Sequence, residues 1–327
     1  MADAKHYDVA IVGGGVAGCA LAYALSTITS KSWSKQISIA LLERSLAEPD
    51  RIVGELLQPG GVIALRKLGM EECLEGIGAI PVKGYCVVQG GEQVHIPYPE
   101  GYEGRSFHHG RFIQALRSKA RTAVGVDVIE ATVQELVEDE KTGRVTGVRA
   151  TRKGEETKTT ISADLVVMAD GCFSNFRSAI LGDTGIKPAL RSHFIGAIMK
   201  DAKLPIDKHG TVALVEGSGP VLMYQIAEHD TRILIDIKHP LPNDLKVTLC
   251  LYPVLYKVYS SPFHRGTFSA KLYRSFPLSY TSPYEKHWRG KDCDGCQILS
   301  SRQRNKVASK QKRVWYSLAM RGTCGIH

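Results

Sequence analysis

Residues 7–18 read Tyr7-Asp8-Val9-Ala10-Ile11-Val12-Gly13-Gly14-Gly15-Val16-Ala17-Gly18, an apolar run of the kind that fills a buried strand, broken by glycines and followed by a helix-forming stretch. The spacing Gly13-x-Gly15-x-x-Gly18 meets three steric demands at once: a tight turn, close approach of backbone N–H groups to a pyrophosphate, and close packing of helix on strand. The helix expected from about Val16 to Thr27 aims its N-terminal partial positive charge, with the Val16 and Ala17 amides, at the phosphates. A second strand, Ile37 to Leu42, ends at Glu43, whose carboxylate can accept hydrogen bonds from both hydroxyls of a ribose. Strand, glycines, helix, strand and terminal acid in this order place a dinucleotide at the start of the chain.

The chain has 327 residues, enough for two domains or one large one with a well-buried core, and its apolar and charged fractions (43% and 23%) are those of a globular protein. No apolar run reaches the roughly 18 residues of a membrane-spanning helix. The N-terminus lacks the apolar core of a signal peptide, so the chain's own segments predict neither secretion nor integral membrane insertion. Of the eight cysteines, Cys19, Cys73, Cys86 and Cys172 sit in apolar or helical contexts that suit reduced, buried side chains. The net charge of +9 is concentrated in the tail: residues 247–327 hold 14 Lys and Arg against 3 Asp and Glu, whereas residues 1–246 hold 28 against 30. That tail carries no recognisable nucleic-acid-binding motif, and no nucleic-acid partner is expected.

Further along, Arg44 to Pro59 is a polar connection expected to lie across the nucleotide site, followed by a helical pattern from Val62 to Leu68 that stops at Gly69. Residues 80–98 alternate like antiparallel strands about a turn at Gly90-Gly91, a pattern that predicts a substrate-facing layer inserted in the βαβ domain. A helix is expected over Arg111 to Ala123, then a strand Val126 to Glu130, a strand-turn-strand unit Thr132 to Ala150, and a strand Leu165 to Met168 running into Asp170-Gly171. Short strands recur from about Ile195 to Ile237, and beyond Lys246 neither period 2 nor period 3.6 persists. His108-His109 is a pair of adjacent residues, whose side chains diverge, and no metal is expected there. Cys293-x-x-Cys296 has no second pair at finger spacing, only Cys250, Cys324 and His327.

Three separated segments fit one pattern: the N-terminal glycines with Glu43-Arg44, the string Arg51-Ile-Val-Gly-Glu-Leu-Leu-Gln-Pro-Gly-Gly61, and Val166-Val-Met-Ala-Asp-Gly-Cys-Phe-Ser-Asn-Phe-Arg177. Together they resemble the FAD-dependent aromatic-hydroxylase-type monooxygenases, and most specifically the squalene monooxygenase (squalene epoxidase) family, fungal type. His95-Ile-Pro-Tyr-Pro99, Gly104-Arg-Ser-Phe-His-His-Gly-Arg-Phe112 and Leu222-Met-Tyr-Gln-Ile226 support that resemblance, which spans about residues 7–246. It implies an α/β, Rossmann-like FAD/NAD(P)-binding fold with an inserted antiparallel β layer and an irregular C-terminal tail. The implied domains are 1–180 for FAD, with the insertion at about 80–104, 181–246 for part of the substrate-binding β domain, and 247–327 as a non-family, disordered tail. It also implies cofactor contacts from Gly13, Gly15, Val16, Ala17, Gly18, Glu43, Arg44, Arg51, Arg111, Val133, Asp170 and Gly171. Gln58 and Tyr85 match positions at the flavin–substrate boundary, where an amide and a phenol can hydrogen-bond one another and orient whatever enters. Met223 and Tyr224 are candidates for the hydrocarbon wall.

The activity implied by the resemblance is epoxidation of squalene to (S)-2,3-oxidosqualene in sterol (ergosterol) biosynthesis, using FAD, oxygen and electrons from NADPH through a separate reductase. The implied location is the endoplasmic-reticulum membrane, through family segments absent here, with a cytoplasmic or peripheral chain as the other expectation. Family members carry a further Gly-Asp motif and C-terminal helices, neither of which stands after Lys246. The resemblance thus implies squalene epoxidation at the level of the family and leaves open whether this chain, truncated relative to it, is active; the alternatives are a catalytically dead fragment with partial FAD binding or an FAD hydroxylase or halogenase of another apolar substrate.

Overall fold

The computed structural model describes residues 5–32, 35–181, 192–216, 219–238, 267–278 and 315–316. Three parallel strands lie side by side at its centre: β1 (His6–Val12), β2 (Ile39–Glu43) and the start of β8 (Val126–Glu138), with β10 (Lys158–Met168) on the other flank of β1. Val9, Ile11, Ile39 and Leu41 point to one face of this sheet, and Ala10, Val12, Ala40 and Leu42 to the other. Both faces are covered, which is why these strands read as unbroken apolar runs and not as alternations. The first face packs on α1 (Val16–Ser32), α2 (Pro59–Leu68) and α3 (His109–Arg121), and Ile11, Leu41, Leu65 and Leu116 are essentially inaccessible there. Each such side chain contributes roughly 1.5–3 kcal/mol by leaving water. The second face packs on an antiparallel meander made by the far half of β8, β9 (Val145–Arg152) and the near half of β10, with Phe176 and Ile180 at the start of and within α4 (Arg177–Leu181).

A second sheet of seven strands carries the inserted layer. Its order is β15 (Thr267–Leu278), β11 (Ser192–Lys200), β14 (Asp230–Lys238), β13 (Val221–Gln225), β12 (Gly210–Leu214), β5 (Gly84–Gln89) and β6 (Glu92–Pro97), antiparallel throughout except where β12 runs beside β5. A small sheet of β3 (Leu56–Leu57), β7 (Gly104–Ser106) and β4 (Ile80–Val82) joins the two layers. Alternation splits the large sheet: Met199, Ala213, Val221, Met223, Ile233 and Ile235 fill one face. Tyr224 and Leu234 fill the other, with Phe194, Ile198 and Leu222 beside them and Ile52, Val53 and Leu56 of the cofactor layer packed against them.

Several boundaries differ from the sequence expectation for identifiable reasons. α2 starts at Pro59, the fixed φ of proline suiting the first helical position, and not at Val62. The strand expected to stop at Glu130 continues to Glu138, because no turn residue stands between Glu130 and Thr132. Cys172 is exposed, whereas Cys19, Cys73 and Cys86 are buried. Within the stretch beyond Lys246 that showed no period, Thr267–Leu278 forms the edge strand β15 and Trp315–Tyr316 forms β16, which pairs in parallel with β10. β15 meets β11 with register shifts between Phe194 and Gly196 and between Gly196 and Ile198, and such irregularities break the period-2 signal in the sequence. Cys250, Cys293, Cys296, Cys324 and His327 lie outside the described residues.

Candidate active site

The cofactor cradle forms where β1, β2 and β10 end together. Gly13 N donates to Leu42 O at 2.7 Å and Ala169 N to Val12 O at 2.7 Å, so the first turn is bonded to both neighbouring strand ends. Gly13 has φ +111°, and a Cβ on it would lie 2.3 Å from Ala169 O and 2.8 Å from Asp170 N. The Asp170-Gly171 segment is thereby brought against the glycine turn. A Cβ on Gly18 would meet Gly13 O at 1.9 Å, the close helix–strand packing that the third glycine allows. Gly15 is different: a Cβ there meets nothing within 4 Å. Open space beside bare amides at a helix N-terminus is a cradle for a pyrophosphate.

Glu43 closes the end of β2. Its Oε2 accepts from Gly14 N at 2.8 Å and its Oε1 from Ser45 N at 3.2 Å, which fixes the carboxylate at the rim while leaving each oxygen a further lone pair for a ribose hydroxyl. Arg117 is the residue that the sequence reading missed. It is 5% exposed, donates from Nε to Gly14 O at 2.8 Å and from Nη1 to Ala47 O at 3.1 Å, and holds Nη2 3.5 Å from Glu43. One buried guanidinium therefore ties the glycine turn, the acid and the Arg44–Pro59 connection together. The available signal was a charge on the buried face of α3, in line with Ile113 and Ala120.

Arg111 stands in the first turn of α3, and Arg51 precedes it in the Arg44–Pro59 connection. Arg111 reaches Ile77 O at 3.4 Å. Neighbouring His109, bonded through Nδ1 to Gly54 O at 3.0 Å, is held below the usual histidine pKa by burial, with Arg51 and Arg117 adding positive charge nearby. Arg44 is exposed just past Glu43. Val133 lies in the meander half of β8, opposite Ala150 and three residues beyond the Glu43–Glu130 pairing. His108 bonds Asp230 at 3.0 Å while His109 turns to Gly54, so the two rings diverge. Among the described residues no group of three or more His, Cys, Asp or Glu converges as metal ligands.

Gln58, at the start of α2, and Tyr85, on β5, are brought together: Gln58 Nε2 donates to the Tyr85 hydroxyl. A third member, Tyr98, donates its hydroxyl to Gln58 Oε1, and the two tyrosine rings meet edge to face with centroids 6.0 Å apart at 89°. Both ends of one amide are thus bonded, which fixes its orientation. The pairing that sets Tyr85 opposite Ile96 leaves Tyr98 two residues on, on the same side of the hairpin, a relation that the Gly90-Gly91 turn already encodes.

Met223 and Tyr224 do not share a wall. As successive residues of β13 they point to opposite faces: Met223 packs among Met199, Val221 and Ile233, and Tyr224 faces the cofactor layer with Leu234 and Ile52. Tyr224 belongs to a buried polar cluster. Arg232 donates from Nε and Nη2 to the two oxygens of Glu55 at 2.8 and 2.7 Å, both side chains being at most 2% exposed, and the Tyr224 hydroxyl donates to Glu55 at 3.3 Å. Burial raises the Glu55 carboxyl pKa against the opposing pull of Arg232, and burial with the Glu55 charge raises the Tyr224 phenol well above its ordinary value. Glu55 stands three residues before Gln58, so this ion pair clamps the Gln58 segment to the large sheet.

The FAD binding domain family model matches residues 6–225, and the squalene epoxidase model matches residues 162–291, past residue 246 where the sequence resemblance was placed. The chain is 47% identical over 248 residues to squalene epoxidase of Aspergillus fumigatus, covering 73% of this chain and 48% of that protein. It is 39% identical over 294 residues to squalene epoxidase 1 of Arabidopsis thaliana (84% and 52%), and 38% identical over 292 residues to squalene monooxygenase of Mus musculus (86% and 49%). The chain thus spans about half the length of these relatives. The myxobacterial chondrochloren halogenase shares the fold with TM-score 0.68 and 16% identity over 84% of this chain and 64% of that one. The p-nitrophenol 4-monooxygenase of Pseudomonas putida shares it with TM-score 0.63 and 12% identity over 84% and 68%. No helix among the described residues is long and apolar enough to cross a membrane. The glycine cradle, the rim acid held by Arg117 and the match over residues 6–225 lead to one conclusion: the chain belongs to the FAD binding domain family, with FAD as its cofactor and a sequence that matches squalene epoxidases.

Proposed function

We propose that this chain carries the cofactor half and part of the substrate face of an enzyme that epoxidises squalene to (S)-2,3-oxidosqualene in sterol synthesis. The observation that carries the reading is the Tyr98–Gln58–Tyr85 relay set at the edge of an apolar sheet face. That edge belongs to a chain whose matched relatives bear the name squalene epoxidase. When bound, FAD supplies activation of dioxygen, chemistry that no side chain here provides.

The residues do the rest. The amides of the Gly13–Gly18 turn and the α1 N-terminus hold the pyrophosphate, and Glu43, oriented by Arg117, holds the ribose. Asp170-Gly171, Arg51, Arg111, Arg44 and Val133 are the further cofactor contacts in this reading. Leu56, Leu222, Leu234 and Phe194 present hydrocarbon to hydrocarbon and exclude water, which would otherwise divert the oxygen to hydrogen peroxide. Gln58 and Tyr85 set the polar boundary of that surface. An alkene offers them no conventional hydrogen bond, so their task is to fix the shape of the site. Tyr224 contributes its ring to the wall, and Met223 supports the strand from behind. Squalene, an NADPH-dependent reductase and the endoplasmic-reticulum membrane are the partners that this reading requires.

The test is direct. The purified chain is loaded with FAD, reduced under nitrogen, mixed with squalene in detergent and exposed to oxygen, and the extract is assayed for oxidosqualene by mass spectrometry. Product above the flavin-only control is expected. Bound, reducible flavin without product would remove the epoxidase assignment from this chain and leave it an FAD-binding protein.

A further inference from the structure

On the face of β5 and β6 away from Tyr85, His95 and His209 hold their Nε2 atoms 2.9 Å apart. They lie beside a cavity of about 560 Å³ that is also lined by Lys83, Tyr98 and Glu100. Three features of the backbone build this pair. Lys208 adopts φ +56°, a left-handed conformation uncommon for a residue with a side chain, and it turns the chain so that His209 Nδ1 donates to Asp207 O at 2.7 Å. Lys83 N donates to Lys208 O at 2.8 Å and holds that turn against the β5 edge. Gly84 completes it, since a Cβ there would come within 3.1 Å of the His209 ring. His209 is only 8% exposed.

The Nδ1–H bond to a carbonyl leaves His209 Nε2 as a bare lone pair directed at His95. A backbone carbonyl on the far nitrogen is the usual way in which a metal-binding imidazole is fixed. We propose that His95 and His209 form a binding site for a first-row divalent cation that takes imidazoles at right angles, of the copper(II) or nickel(II) class. The spacing selects the class. Metal–nitrogen bonds of about 2.0–2.1 Å at a right angle put two ligand nitrogens about 2.9 Å apart, whereas a tetrahedral ion needs about 3.3 Å. The ring centroids are 4.7 Å apart with planes at 70°, so the two rings meet edge to face and not head-on. On binding, His95 moves its proton from Nε2 to Nδ1, both imidazoles stay neutral, and the remaining coordination positions open to the cavity. The ion would tie edge strand β6 to the 207–209 turn, with its ligand His95 three residues before Tyr98.

The experiment uses the full chain, stripped of metal and titrated with copper(II) chloride while the visible d–d band and electron paramagnetic resonance are followed. One equivalent is expected to bind with a two-nitrogen hyperfine pattern and to raise the melting temperature, with zinc binding more weakly. His95→Ala, on the exposed edge strand, is expected to weaken binding at least tenfold and abolish the two-nitrogen pattern without changing the far-ultraviolet circular dichroism, and His209→Gln is expected to do the same. An unchanged copper titration in the two variants, or a one-nitrogen pattern in the unsubstituted chain, would overturn the site and leave the pair as a shared hydrogen bond only.

Discussion

Replacing Arg232 by Met leaves Glu55, 1% exposed, without its cation. Both guanidinium bonds to that carboxylate, at 2.8 and 2.7 Å, vanish, and among the described residues the longer bond from Tyr224 remains. Breaking a buried pair from one side costs about 3–5 kcal/mol, because the surviving charge is uncompensated. Replacing both partners by apolar residues of similar volume, Glu55→Leu with Arg232→Met, should cost much less, since no charge is stranded. The sign of the pH dependence follows from the raised pKa of Glu55. A carboxyl that holds its proton more tightly folded than unfolded binds more protons in the native state, so stability is fullest below the ordinary pKa and falls as pH rises through the raised one. In Arg232→Met the raising effect of burial acts without the opposing cation, so the deficit should grow from pH 5 to pH 8. Urea unfolding followed by circular dichroism measures this. A single variant within about 1 kcal/mol of the parent, or a double variant no more stable than the single, would refute the clamp.

The glycine cradle makes a paired prediction: Gly15→Ala should fold normally yet lose FAD, because its Cβ enters only open space, whereas Gly18→Ala should lose stability as well, its Cβ meeting Gly13 O at 1.9 Å. Melting curves together with flavin fluorescence titration separate the two. Glu43→Ala should weaken FAD binding by about 1.5–3 kcal/mol, roughly ten- to a hundredfold. An unchanged titration would remove the ribose role. Tyr85→Phe and Gln58→Ala should each lower epoxidation, and the double variant should cost less than the sum, as expected for residues sharing one contact. Strict additivity of product yields would mean that the two act independently.

The cofactor half was legible because its demands are local. Steric need writes Gly13, Gly15 and Gly18 directly into the chain, and a strand buried on both faces writes itself as Val9–Val12 and Ile39–Leu42. Gln58 and Tyr85 are bonded to one another, a pairing that an amide and a phenol allow. Tyr98 and Arg117 escaped because their roles depend on long-range register and on which face of α3 turns inward, and a polar residue on an apolar helix face looks in isolation like an interruption. The Glu55–Arg232 pair was equally hidden: its partners are 177 residues apart and meet only once two sheets pack. Met223 and Tyr224 were read as one wall because neighbours in sequence suggest neighbours in space, and the period of a strand separates them. β15 was missed because its shifts against β11 erase alternation.

The central proposal is that this chain holds FAD in the Gly13–Gly18 cradle and passes oxygen from dioxygen to squalene across the Gln58–Tyr85 boundary. A single turnover of the FAD-loaded, reduced protein under ¹⁸O₂, with the mass of the oxidosqualene measured, tests it most directly. The account predicts one heavy oxygen in the product and a smaller share diverted to hydrogen peroxide in the unsubstituted chain than in Tyr85→Phe. Oxidation of the flavin that yields only hydrogen peroxide, with squalene recovered intact, would contradict it.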